Sequence, residues 1–120
     1  MNLLTRMALS FVAGETPDEA FRQVQKLNEK GIQTTLDILG ESVKDRETAE
    51  KAVNAYLDLL DAIPRAGISS HISLKLTQMG LDIDTEYCFG NVEKIVAKAK
   101  QLGNFVRVDM EGTQQTRRPL

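Results

Sequence analysis

At 120 residues the chain suits one domain with a core of its own, and 15 basic against 17 acidic residues leave a net charge of −2. That balance excludes a basic nucleic-acid arm or a polybasic membrane patch. A single cysteine, Cys88, excludes an intrachain disulfide framework and suits a reducing, cytoplasmic setting.

Met1 to Val12 is mildly apolar, with Arg6 inside it, and lacks the layout of a signal peptide. Leu3, Leu4, Met7, Ala8 and Phe11 recur at helical spacing, so a short helix or a tail is expected there. Thr16, Pro17 and Glu19 then form a helix start: Thr16 as cap, Pro17 at the first position, Glu19 closing a capping box. Ala20, Phe21, Val24 and Leu27 give that helix an apolar face, and Gly31 stops it after Lys30. Ile32 to Leu39, rich in β-branched residues, reads as a strand. A second helix is expected from Arg46 to Ala66. Asp45 caps it, Ala49, Val53, Tyr56, Leu60 and Ile63 form its apolar face, and Pro64 and Gly67 end it. Ile68 to Leu76 reads as a strand and Thr77 to Asp84 as a loop. A third helix from Thr85 to Leu102 has Asp84 as cap, and Phe105 to Met110 reads as a last strand. Alternating helices and strands predict βαβ units and a parallel sheet of about three strands, with helices on its outer face. The spacing suits a partial (βα)8 barrel; no G-x-G-x-x-G follows the first strand, which argues against a dinucleotide-binding sheet.

Two charges stand near the ends of expected strands. Leu74 and Leu76 flank Lys75, so on a strand they face away from it, and Ser73 shares its side. Two readings stand for Lys75. On an edge strand it is a solvated guard against association. Inside a barrel an unpaired ammonium is costly, so it needs a carboxylate partner or it deprotonates and becomes a nucleophile. Asp109 lies at the end of the last strand and meets Lys75 if their strands are neighbours; the alternative is a cap for the segment that follows. Residues at strand C-termini gather at the catalytic mouth of a barrel. Asp37 could extend that mouth, with a structural hydrogen-bond role as the simpler reading. His71, the only histidine, starts its strand and belongs to the bottom, and Cys88 reads as an apolar filler.

Four stretches, in order, resemble the flavin-dependent proline dehydrogenase family: Phe11 to Thr16, Thr35 to Glu41, Ser73 to Leu81, and Gly103 to Glu111. The resemblance implies a (βα)8 barrel with FAD at its C-terminal mouth. It implies oxidation of L-proline to 1-pyrroline-5-carboxylate, with electrons passing to a quinone and the enzyme cytoplasmic or peripheral to the inner face of the membrane. It makes Lys75 the active-site lysine beside flavin and substrate, Asp109 its acidic partner, and Met110 a residue that touches the flavin. It places the contacts to the flavin pyrophosphate and the substrate carboxylate on later strands, so residues 1–120 read as an N-terminal piece of such a barrel. Two other readings compete: an inactive part-barrel, and a Schiff-base lysine aldolase built on Lys75. For the part-barrel, the inner face is expected to expose Leu, Val and Ile and to drive self-association.

Overall fold

A computed structural model describes residues 6–12, 17–40 and 43–109. The chain runs β1 (Arg6–Val12), α1 (Asp18–Glu29), β2 (Gln33–Leu39), α2 (Arg46–Arg65), β3 (His71–Lys75), a 3-10 turn (Leu76–Met79), α3 (Thr85–Gln101) and β4 (Val106–Asp109). The strands form one sheet in the order β1-β2-β3-β4, with every neighbouring pair parallel. Sequential order without reversal, each crossover carrying a helix, is how a barrel is built; a doubly wound sheet reverses its strand order. The structure is a partial barrel.

The helices begin where local chemistry says they should. The Asp45 side chain accepts from Thr48 N at the start of α2, and Asp84 accepts from Glu86 N and Tyr87 N at the start of α3. Gly31, Gly67 and Gly103 follow the three helices with positive φ. In α1 the expectation shifts by one residue. Pro17 is the cap position, its carbonyl taking Phe21 N at 2.8 Å. Thr16, the expected cap, lies outside the described residues. Strand β3 starts later than the expected Ile68, because Asn28 of α1 holds Ser69 through both its backbone groups. Leu76 leaves the strand for the 3-10 turn, which closes at Gly80 with φ 103°.

The helix-or-tail expectation for Met1 to Val12 is overturned over Arg6–Val12, which is a strand in register with β2 from Arg6↔Gln33 to Val12↔Leu39. The helical spacing of five apolar residues concealed a period of two, in which Leu9 and Phe11 share the side that packs on the core. The sheet therefore has four strands rather than three.

One face of the sheet carries the core. Leu36, Ile38, Ile72 and Leu74 pack there against Val24 of α1, Val53, Tyr56 and Leu60 of α2, and Ile95 and Ala99 of α3. Lys98 and Asp61, 3.0 Å apart, tie α3 to α2. On the opposite, inner face the expected display of Leu, Val and Ile is limited to two positions. Ala8, Thr35, Asp37, Ser73, Arg107 and Asp109 line a cavity of about 260 Å³ on it. Its exposed large apolar residues are Val12 and Leu39, registered at the C-terminal ends of β1 and β2. Parallel strands buried on both faces usually read as apolar runs; these alternate, and their inner face is polar.

Candidate active site

Strand direction gathers the candidate residues. Lys75 ends β3 and Asp109 ends β4, and the two are paired in register on neighbouring strands. β3 is an interior strand, so the edge-guard reading of Lys75 does not hold. Leu74 is fully buried on the helix side, as alternation demands, and Lys75 is half-buried. The expected ion pair is not formed: among the described residues the ion pairs are Arg22–Glu19, Lys44–Asp82 and Lys98–Asp61. The Asp109 carboxylate instead reaches back along the sheet, where Oδ2 accepts from Ser73 Oγ at 3.0 Å. The short aspartate side chain is satisfied one pleat below the lysine, and Lys75 forms no ion pair among the described residues.

Asp37 lies two residues before the end of β2. Its Oδ1 is buried without a hydrogen-bond partner, and so is Thr35 Oγ1. The simpler structural role expected for Asp37 is not seen at that atom. A buried polar atom left unpaired is costly, and both atoms belong to residues lining the inner cavity. His71 opens β3, four residues from Lys75, or about 13 Å by strand rise. It stacks edge-on against Phe105 at 5.3 Å with Nδ1 3.4 Å from Asn104 Oδ1, which suits the structural place expected for it. Cys88 is fully buried and its Sγ donates to Leu76 O at 3.5 Å; burial pushes the thiol pKa up, as suits an inert filler.

Two residues at the mouth carry roles that sequence reasoning missed. Gln78, only 3% exposed, sends Nε2 to Ile38 O at 2.7 Å and accepts at Oε1 from Lys75 N and from Tyr56 OH, each at 3.2 Å. Tyr56 OH in turn accepts from Ile38 N at 3.0 Å. Burial pushes the Tyr56 phenol well above its ordinary range; the bond to Ile38 works against that, and the charges of Asp37 and Asp109 add to it. Tyr56 reads in sequence as one more apolar position on α2, and Gln78 as a loop residue. The available signal was a glutamine between Leu76 and Met79, in a short stretch that holds three large apolar residues.

A family model described as proline dehydrogenase matches residues 20–119. The chain belongs to the proline dehydrogenase family. It is 36% identical over 104 residues to proline dehydrogenase 1 of Bacillus subtilis (strain 168), covering 87% of this chain and 34% of that protein. It is 35% identical over 108 residues to the proline dehydrogenase of Deinococcus radiodurans, covering 88% and 35%. Proline dehydrogenase 2 of Bacillus subtilis is 32% identical over 100 residues, covering 83% and 33%. The chain thus spans about a third of the length of these curated relatives. In this family member the inner face presents a buried acceptor, Asp37 Oδ1, that has no hydrogen-bond partner among the described residues and would fit a ligand carrying a donor. Met110, the expected flavin contact, lies outside the described residues.

Proposed function

We propose that this chain supplies four strands of a flavin-dependent proline dehydrogenase that oxidises L-proline to 1-pyrroline-5-carboxylate. The observation that carries the reading is the family match together with Lys75 and Asp109 in register at neighbouring strand ends. Lys75 and, by the family resemblance, Met110 would be the residues here that hold FAD, whose chemistry when bound would be hydride acceptance. The chain's own residues bind and orient. The Lys75 ammonium, not engaged by Asp109, is free to meet the substrate carboxylate or the charge that develops beside it. Asp109, held by Ser73, offers a hydrogen-bond acceptor to the substrate nitrogen, and Asp37 offers a second on the same face. Two charges held on rigid strands orient the ring without reorganisation. The proposal includes a quinone acceptor, a cytoplasmic location peripheral to the membrane's inner face and, for residues 1–120 taken by themselves, association through the edges of β1 and β4. The family resemblance motivates the first two and the unpaired edges the third.

The test is purification of the full-length protein, its flavin absorbance, and proline-dependent reduction of a quinone analogue. A colourless protein that gains no proline oxidation with added FAD would overturn the reading. Lys75→Ala should lower turnover far more than Lys75→Arg, and both more than His71→Ala, since His71 lies at the opposite end of the strand. Equal losses at the two positions would contradict the assignment. A lysine Schiff base draws on the same missing ion pair; borohydride trapping of Lys75 with a carbonyl substrate would favour it over hydride chemistry.

A further inference from the structure

Pairing between β2 and β3 is confined to Thr35↔His71 and Leu36↔Ile72, while β3 and β4 stay paired to their last residues. Beyond Leu36 the strands part, and three backbone groups lose the ladder that would have satisfied them. Each finds a side chain instead. Ile38 N donates to Tyr56 OH, Ile38 O accepts from Gln78 Nε2, and Lys75 N donates to Gln78 Oε1. A carboxamide is suited to this because it carries a donor and an acceptor in one plane, as a peptide group does. The surrounding groups fix its orientation: the carbonyl of Ile38 needs the NH2, and the two donors need the oxygen. The space is closed on the β2 side as well, since a Cβ at Gly40 would stand 2.9 Å from Gln78 Nε2.

We infer that Gln78, backed by Tyr56, is a positioning residue: it wedges between the C-terminal ends of β2 and β3, replaces their ladder, and sets the place of Lys75 at the mouth. The effect reaches chemistry through the lysine's own backbone N–H, so the functional part of the inference rests on the proposed role of Lys75. Gln78 itself touches no reacting atom. Removing the wedge lets the end of β3 move toward or away from β2 while the β3–β4 pairing keeps the sheet whole.

The test uses Gln78→Met, Gln78→Glu and Gly40→Ala in the full-length holoenzyme. Hydrogen exchange of the peptide spanning residues 73–79 should accelerate in Gln78→Met, and kcat/KM for proline should fall roughly 10- to 100-fold, as displaced catalytic groups cost. Gly40→Ala should fall in the same direction, because the new methyl pushes the amide off Ile38 O; it keeps the test open if Gln78→Met fails to fold. Gln78→Glu gives the readout that a merely structural residue would not. Only the protonated carboxyl can donate to Ile38 O, so its activity relative to wild type should rise as the pH is lowered through roughly 9 to 6, the range open to a buried glutamate. A flat ratio, or unchanged exchange in residues 73–79 of Gln78→Met, overturns the wedge. A wild-type enzyme without proline oxidation overturns the functional reading instead, and the exchange result then judges the wedge alone.

Discussion

The two seams on either side of β3 close by different means. Toward β4 the backbone does the work, with four registered pairs from Ile72↔Val106 to Lys75↔Asp109. Toward β2 the backbone supplies two pairs, and the phenol of Tyr56 and the amide of Gln78 complete the rest. A ladder is indifferent to side-chain identity, because every residue but proline brings the same donor and acceptor. A seam made of side chains depends on two residues, and it opens a gap where a ladder would have drawn the strands together. Lys75 ends the strand between the two seams, so the proposed chemistry has the backbone ladder on its Asp109 side and the side-chain seam on the other.

The sharpest way to break the comparison is at Tyr56, which is fully buried. Tyr56→Ala should destabilise the fold by about 3–5 kcal/mol, the usual cost of deleting a buried aromatic ring. Tyr56→Phe keeps the volume and strands the Ile38 N–H, so urea unfolding should show a loss of about 1–3 kcal/mol. An unchanged midpoint for Tyr56→Phe would mean that Ile38 finds another partner and that the seam does not need the phenol. Gly80 ends the 3-10 turn that presents Gln78. At φ +103° and with Tyr87 Cδ2 2.8 Å from an added Cβ, Gly80→Ala meets strain and a clash together. A cost of about 1–3 kcal/mol is expected in a thermal melt. Gly90 is the control: it lies inside α3 with nothing within 4 Å of an added Cβ, so Gly90→Ala should raise stability by about 0.5–1 kcal/mol.

The β4 seam should be the more tolerant. Ser73→Ala removes the bond to Asp109 and should cost about 1 kcal/mol, with exchange protection of the β3–β4 ladder unchanged. A loss as large as that of Tyr56→Phe would show that both seams lean on side chains. The smallest effect lies away from both seams. Hydrogen bonds from Thr48 hold the Asp45 carboxyl below its ordinary value of 3.8. A lowered folded pKa means that its stabilising contribution is present above that value and lost as the pH falls through the folded pKa. Asp45→Asn still caps but does not titrate. The difference in melting temperature between wild type and Asp45→Asn should therefore be level above about pH 4 and change only below it.

Much of the fold is legible in the sequence because helix signals are local. Asp45 and Asp84 cap the helices that follow them, within three residues of the groups they satisfy. Gly31, Gly67 and Gly103 mark the helix ends by the backbone geometry they alone reach easily. The strand that was misread, Arg6–Val12, has no such punctuation, and its hydrogen bonds lie with β2, more than twenty positions away. Of the candidate site, the placement of Lys75 and Asp109 at matching strand ends follows from alternation and strand order. Their lack of an ion pair does not, because which oxygen a carboxylate meets is settled by the neighbour below it, Ser73.

The sequence by itself determined the alternation of helices and strands after β1, the helix boundaries to within a residue, and the placement of Lys75 and Asp109 at the C-terminal ends of neighbouring strands. It also carried the resemblance to proline dehydrogenases, through stretches that keep their wording and spacing. Tertiary structure alone decided the fourth strand, the polar inner face, and the wedge of Gln78 and Tyr56 between β2 and β3. The physical reason is the reach of the forces involved. Capping and periodicity act within a turn of the chain, whereas a buried donor or acceptor must be satisfied by whatever the fold brings next to it, and for Ile38 that partner comes from 18 residues away in Tyr56 and 40 in Gln78.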